Sequence, residues 1–191
     1  MINVIIDIIT IITIITITLL LYYFITNTCV IMKKQYYIYF LILCLSIIHY
    51  IGIFLAPFLF NSNPTLSGFI YSIYAFECHQ LPYRSFFVFG HQMSVCARCF
   101  GIYTGWLVGL IIYPFVWKVT NYKTPNKWYL IIALLPMAID GTTQLIGLRE
   151  SFNELRLFTG LLAGFVGVFY IVPVFIKTLL EIKEYFSKNR N

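Results

Sequence analysis

Residues 95–117 read VCARCFGIYTGWLVGLIIYPFVW, a stretch in which Arg98 is the only charged side chain. About 20 apolar residues in a helix are enough to span the hydrocarbon core of a bilayer, so this stretch predicts a transmembrane helix. Four more stretches have the same character, namely 4–26, 36–60, 128–148 and 157–176. The whole chain is 60% hydrophobic and 10% charged, whereas soluble domains carry about 25% charged residues. We therefore predict an all-α integral membrane protein, a bundle of about five transmembrane helices.

The positive charges predict how this bundle is oriented. The segment after the first span, the linker between the third and fourth spans and the C-terminal tail together hold nine of the 13 lysines and arginines. Such segments are normally cytoplasmic, which places the N-terminus outside and the C-terminus in the cytoplasm. The net charge of +6 then reflects topology, so we expect the lipid bilayer as a partner and no nucleic acid. The sequence gives no oligomeric state.

The outer segments show a second bias in their positive residues. With this orientation every lysine lies inside, and the outer positive residues are all arginines: Arg84, Arg98, Arg149 and Arg156. Membrane orientation requires only positive charge, whereas arginine is preferred where a planar group must hold a carboxylate or phosphate. The outer arginines therefore predict an anion-binding role.

We divide the chain into three parts. Residues 1–60 form two N-terminal transmembrane helices, 61–176 an outer loop with three transmembrane helices, and 177–191 a basic cytoplasmic tail. Within the outer loop, residues 66–77 are apolar but too short to span, so we predict a short interfacial or re-entrant helix. Ser151 and Glu154 form a capping-box pattern that predicts the start of the fifth span near Phe152.

The outer loop and the third span contain most of the residues that can bind a metal. Cys96 and Cys99 place two thiols on one helical turn, and Cys78 and His79 precede them in the outer loop. Thiolates with an imidazole in a tetrahedral set suit zinc best. We predict a zinc site formed by Cys78, His79, Cys96 and Cys99, with His91 as another possible fourth ligand.

Two other uses of these cysteines remain open at this stage. Cys96 begins a helix beside Arg98, which favours a reactive thiolate, so the cysteines could perform thiol–disulfide exchange. A structural disulfide from Cys78 to Cys96 or Cys99 would instead fix the loop to the helix. The sequence does not decide whether the protein is an enzyme.

A polar group in the fourth span lies at the same membrane face. Asp140 and Gln144 fall in the outer half of that span, and charged groups inside spans are normally paired or functional. We predict that Arg84, Arg149, Arg156 and Gln144 bind an anionic ligand, such as a lipid or another phosphate or carboxylate. Asp140 would act on this anionic ligand together with Arg98 and Tyr103, and its role would be that of a general base or a ligand. The alternative is that outer acids simply pair with the arginines: Glu77, Asp140, Glu150 and Glu154.

Small residues recur at helical spacing in two spans. Gly101, Gly105 and Gly109 in the third span and Gly160 and Gly164 in the fifth would let two helices approach closely. We therefore expect these two spans to be in contact.

The chain resembles an uncharacterised family of small prokaryotic membrane proteins. The resemblance is carried by the patterns C-H-Q-x-P-x-R-S-F from Cys78, C-x-R-C-x-G-x-Y-x-G from Cys96, and P-x-x-x-D-G-x-x-Q from Pro136. A further S-x-N-x-x-R-x-x-T-G pattern begins at Ser151. The family has no established activity, so the resemblance implies only that these segments belong together.

Overall fold

The computed structural model describes residues 34–189, and four of its helices are long and apolar enough to cross a membrane. The helices are α1 (Lys34–Leu59), α2 (Pro64–Ala75), α3 (Ala97–Val116), α4 (Lys127–Leu145) and α5 (Asn153–Lys188). All but α2 are candidate spans. The predicted span at 4–26 lies outside the described residues. The protein is all-α, as expected, and many of its large apolar side chains face outward, including Phe76 and Phe115 at 93% and 85% exposure. Hydrocarbon rather than water suits such a surface.

The contacts of the chain define two units, Met1–Ile38 and Tyr39–Asn191. All the cavities and clusters described below lie in the second unit. The boundaries of the predicted three-part division remain expectations.

The α1 and α3 helices run antiparallel and are joined by polar contacts. The Tyr50 and Thr104 hydroxyls are 3.1 Å apart, and Trp106 Nε1 donates a hydrogen bond to Ser46 Oγ at 3.0 Å. Partners nearer the end of α3 therefore lie nearer the start of α1. In a water-poor environment such bonds between helices help to determine their register.

The α3 and α5 helices are parallel and in close contact, as the glycine spacing predicted. A Cβ atom placed at Gly105 would collide with the carbonyl oxygen of Leu161, and one at Gly160 would collide with that of Arg98. Glycine is thus required because the two backbones touch. This contact places the first turns of both helices at the same end of the bundle.

The predicted short helix exists as α2, and it turns back along α1. Asn63 caps it by accepting a hydrogen bond from the Leu66 N–H at 3.1 Å. Ser67 Oγ donates a hydrogen bond to the Ala56 carbonyl at 2.8 Å. The Tyr74 hydroxyl donates one to the His49 carbonyl, about two turns earlier in α1. The next residues, which include Cys78, are thereby delivered beside the start of α3.

Three features differ from the sequence expectations. A two-stranded hairpin, Phe87–Val88 paired with His91–Gln92, lies in the loop, and its two-residue turn has positive φ at both positions. The α5 helix continues without a break to Lys188, well into the segment assigned to the tail. The capping box does not form: Phe152 is the N-cap residue and no side chain caps the helix. Ser151 is buried near Asp140 instead.

Candidate functional site

Three of the cysteines meet where the loop between α2 and α3 joins α3. The sulfur atoms of Cys78, Cys96 and Cys99 all lie within 4.8 Å of one another, and those of Cys96 and Cys99 are 3.4 Å apart. A tetrahedral zinc site with Zn–S bonds of about 2.3 Å requires sulfur atoms roughly 3.8 Å apart. The three thiols are therefore close to the spacing that a metal ion needs, and they could hold one.

Local backbone geometry positions these sulfurs. Cys96 is the N-cap residue of α3, so Cys99 follows on the first helical turn. Cys78 reaches the cluster from the loop, and its sulfur accepts a hydrogen bond from the Cys96 N–H at 3.1 Å. Backbone N–H bonds to sulfur favour the thiolate form, which is the form that binds metals.

The thiols influence one another strongly. The pKa of Cys96 is held far below its usual value, chiefly by hydrogen bonding with the side chains of Cys78 and Cys99, although burial opposes this. The pKa of Cys78 is raised, mainly by its side-chain hydrogen bond to Cys96. The thiolate form of Cys96 is thus stabilised by hydrogen bonds with the neighbouring thiols.

The loop around Cys78 is held by amide side chains. Gln80 Nε2 donates to the carbonyls of Tyr71 and Ser94, at 2.8 Å and 2.7 Å. Gln92 Nε2 donates in turn to the Gln80 carbonyl at 2.6 Å. Gln80 itself has a φ of 50°, a conformation that is costly for a residue other than glycine and needs such support.

The two loop histidines occupy different places. His79 is exposed and lines a cavity of about 340 Å³ together with Cys96 and Cys99, although it is not within the sulfur cluster. The ring of His91 stacks on Phe60, with their centroids 4.1 Å apart. The described structure therefore brings His79, and not His91, beside the thiols.

The predicted polar residues of α3 and α4 are also in contact. The Arg98 guanidinium donates to the Asp140 carboxylate, and Arg149 Nη2 donates to its other oxygen at 2.7 Å. Asp140 is 1% exposed and does not line the described cavities. Its carboxylate neutralises part of the charge of two arginines and holds both in place.

The other two arginines are not paired with carboxylates. Among residues 34–189, no acidic side chain lies within 4.0 Å of Arg84 or Arg156. Arg156 is 4% exposed, and its Nη1 donates to Asn153 Oδ1 at 2.8 Å. The positive charges of Arg84 and Arg98 repel that of Arg156, and the Asp140 carboxylate offsets part of this repulsion. An anion bound between Arg84 and Arg156 would offset more of it.

These arginines border two cavities. Arg84, Arg98 and Arg156 line the same cavity as two of the thiols, and the apolar part of its lining is Leu81 and Ile102. Arg84 and Arg156 also line a second cavity of about 650 Å³, which contains Arg149, Gln144 and Ser151. Every predicted anion-binding residue therefore lines at least one of two adjoining spaces.

Tyr103 has a different environment from the arginines. Its hydroxyl donates to Glu77 Oε2 at 2.5 Å, and Glu77 also approaches His49 Nε2 at 3.4 Å. Tyr103 and His49 line a third cavity of about 400 Å³, with Leu45, Ser46, Ile102 and Trp106. The partners of Glu77 are thus Tyr103 and His49 rather than an arginine. The third cavity was not predicted from the sequence.

Ile102 and Asn153 were not singled out by sequence reasoning. Ile102 is an ordinary apolar residue of a span, and only the structure shows that it lines two cavities. Asn153 links Arg156 to the loop, because its Nδ2 donates to the Ser85 carbonyl at 3.3 Å. The sequence signal for Asn153 was its place in the S-x-N-x-x-R pattern.

Known proteins similar to this chain include a family of membrane proteins and two archaeal relatives. The profile of a family described as "Predicted membrane protein (DUF2085)" matches residues 78–186, which hold the thiols and all four outer arginines. An uncharacterised protein of Methanocaldococcus jannaschii is 60% identical over 156 residues, covering 78% of this chain and 98% of its own. One of Methanothermobacter thermautotrophicus is 38% identical over 109 residues, or 57% and 96%. No solved structure matches.

Proposed function

We propose a function for this chain, which belongs to the DUF2085 family of membrane proteins. The protein binds zinc on the extracytoplasmic side of the membrane and uses this site to recognise an anionic, membrane-associated ligand. Cys78, Cys96 and Cys99 are the metal ligands, and Arg84 and Arg156 are the principal anion-binding groups. The observation that carries the proposal is the shared cavity, which is lined by Cys96 and Cys99 of the thiol cluster and by two arginines that have no carboxylate partner among residues 34–189.

Zinc is the metal that this donor set favours. Three thiolates with an open fourth position are typical of zinc, since softer sulfur ligands select against magnesium and calcium. His79 lines the same cavity and is the fourth protein ligand we propose. With His79 turned away, the fourth position would be open to water or to an oxygen of the bound anion.

The other predicted residues receive supporting roles. Asp140 positions Arg98 and Arg149 through direct hydrogen bonds; this use of its carboxylate favours positioning over proton abstraction. Gln144 and Arg149 line the outer cavity and contact the distal part of the ligand. Tyr103 is tied to Glu77 and stabilises the loop that carries Cys78.

Metal analysis of the purified protein tests the zinc proposal. We expect about one zinc ion per chain, lost in Cys99→Ser and in Cys78→Ser. Cys44→Ser is the matched control, because Cys44 is a free cysteine of α1 outside the cluster and its removal should leave the zinc content unchanged. Absence of metal together with a Cys78–Cys96 or Cys78–Cys99 disulfide would contradict the proposal and favour a structural or redox use of the thiols.

Calorimetric titration with inorganic phosphate, in phosphatidylcholine nanodiscs, tests the anion proposal. The wild-type protein should bind phosphate, and Arg84→Gln or Arg156→Gln should weaken binding by about tenfold or more, since each removes charge-assisted hydrogen bonds. Lys127→Gln is the control, because it removes one positive charge at the start of α4 without touching the cavities. Equal affinities in all four proteins would contradict the proposal.

A further inference from the structure

The three cavities described above adjoin one another in a fixed order. The apolar cavity between α1 and α3 and the thiol–arginine cavity share Ile102. The thiol–arginine cavity and the outer cavity share Arg84 and Arg156. In the order given by these shared residues, the linings change from apolar to cationic to polar.

The first cavity has the character of a chain-binding site. Leu45, Ile102 and Trp106 supply an apolar wall. The polar groups of Ser46, Tyr103 and Trp106 are hydrogen-bonded within the protein, whereas His49 Nε2 has no hydrogen-bond partner among the described residues. Trp106 Nε1 donates to Ser46 Oγ at 3.0 Å, and Tyr103 donates to Glu77. Such a lining offers little to a polar ligand but suits a hydrocarbon chain.

The charge at the junction points to phosphate in particular. Four guanidinium groups line the two polar cavities, and Asp140 offsets one of them. A zinc ion held by three thiolates would carry a single negative charge, because bound thiols are deprotonated. Four arginine charges, less one for Asp140 and one for the zinc–thiolate group, leave an excess of two positive charges. Glu150 is not counted, because it is exposed and its charge is screened by solvent.

A phosphate monoester matches this excess better than a carboxylate does. It carries about −1.5 to −2 charges at pH 7, and its oxygens accept paired hydrogen bonds from guanidinium groups. Arg84 makes a cation–π contact with Tyr83, whose ring centroid is 5.2 Å from the guanidinium carbon. Arg156 is held by Asn153.

We propose that the ligand is a lipid phosphate, with its phosphate between Arg84 and Arg156 and its single apolar chain past Ile102 into the cavity beside Trp106. The inference rests on the proposed function and names the ligand class of that site. The outer cavity, with Gln144 and Arg149, then lies at the phosphate end of the ligand.

Quenching of Trp106 fluorescence by a brominated chain tests this placement. The protein has three tryptophans, so Trp117→Phe and Trp128→Phe leave Trp106 as the only emitter. In phosphatidylcholine nanodiscs, an alkyl phosphate with a dibrominated chain should quench Trp106 at concentrations at least tenfold lower than the same brominated chain carried as an alcohol. Excess inorganic phosphate should reverse the quenching by competing for the arginines.

Variants separate this inference from the proposed function. Arg84→Gln and Arg156→Gln should reduce quenching by the alkyl phosphate to the level of the alcohol, whereas Lys127→Gln should not change it. Retained zinc in each variant shows that it is folded. If inorganic phosphate binds but the brominated phosphate quenches no better than the alcohol, the chain does not enter this cavity and only the inference is overturned. If neither phosphate binds, the proposed anion site fails as well.

Discussion

The Arg98 guanidinium, on the first turn of α3, donates a hydrogen bond to the Asp140 carboxylate, near the end of α4. Arg149, in the loop after α4, donates to the second oxygen of the same carboxylate at 2.7 Å. Asp140 therefore links α4 and the loop that follows it to the start of α3, which is 42 residues away in the sequence. It brings the polar end of α4 beside the cysteines.

Removal of this carboxylate should destabilise the protein. Asp140→Ala leaves Arg98 and Arg149 without their shared partner, and breaking a buried pair costs about 3–5 kcal/mol. Because the two arginine side chains are 25% and 38% exposed, solvent screening reduces this to about 2–3 kcal/mol. Glu154→Ala, which removes an exposed acid without an arginine partner among the described residues, should change stability by less than about 0.5 kcal/mol. Thermal unfolding in detergent measures both; equal effects would contradict the linking role.

The contact between α3 and α5 should not tolerate a single methyl group. Gly160→Ala places a Cβ against the Arg98 carbonyl oxygen, and such overpacking typically costs about 1–3 kcal/mol. Gly167→Ala is the control on the same helix, because its added Cβ would meet nothing closer than 4.0 Å. Alanine is favoured over glycine in helices by up to about 1 kcal/mol, so this control should be neutral or slightly stabilising. A Gly160→Ala protein as stable as the Gly167→Ala protein would show that the helices are further apart.

The two loop histidines should differ in their effect on metal binding. His79→Ala should lower zinc affinity by at least about tenfold, a typical effect of losing a metal-site partner, since His79 shares the thiol cavity. His91→Ala should leave the affinity unchanged, because that ring stacks on Phe60. Competition with a zinc-responsive dye measures both values. A larger loss in His91→Ala would mean that the loop rearranges around the metal.

The proposed orientation can be measured with two variants that each carry one added cysteine, compared with the labelling of the five native cysteines in the wild-type protein. Glu150→Cys, in the loop after α4, should react with a membrane-impermeant maleimide in intact cells. Lys123→Cys, in the linker before α4, should react only after lysis, because positively charged linkers remain in the cytoplasm. Both native residues are exposed, so accessibility within the fold does not confound the comparison. The reverse labelling pattern would move the thiol site to the cytoplasmic face.

The overall class and the helix positions follow from local patterns in the sequence. Hydropathy predicted the spans now seen as α1, α3, α4 and α5, since each long apolar stretch must satisfy its backbone internally in lipid. Glycine spacing predicted the contact of α3 with α5 because only glycine removes the side chain that separates two backbones. The hairpin at Phe87–Gln92 and the failed cap at Ser151 escaped prediction. The turn lacks the usual asparagine or aspartate before glycine, and Ser151 is buried beside Asp140.

By itself, the sequence determined that the protein is a helical membrane protein with thiols and arginines concentrated in one half of the chain. The tertiary structure decided which of these groups meet. Four arginines and four acids allow many pairings, and only the tertiary structure shows that Asp140 pairs with Arg98 and Arg149. Among the described residues, Arg84 and Arg156 have no carboxylate partner. These pairings depend on how segments that are distant in the sequence pack together, and local sequence patterns carry no information about that packing. For the same reason, only the structure shows that Ile102 lines both an apolar cavity and a cationic one.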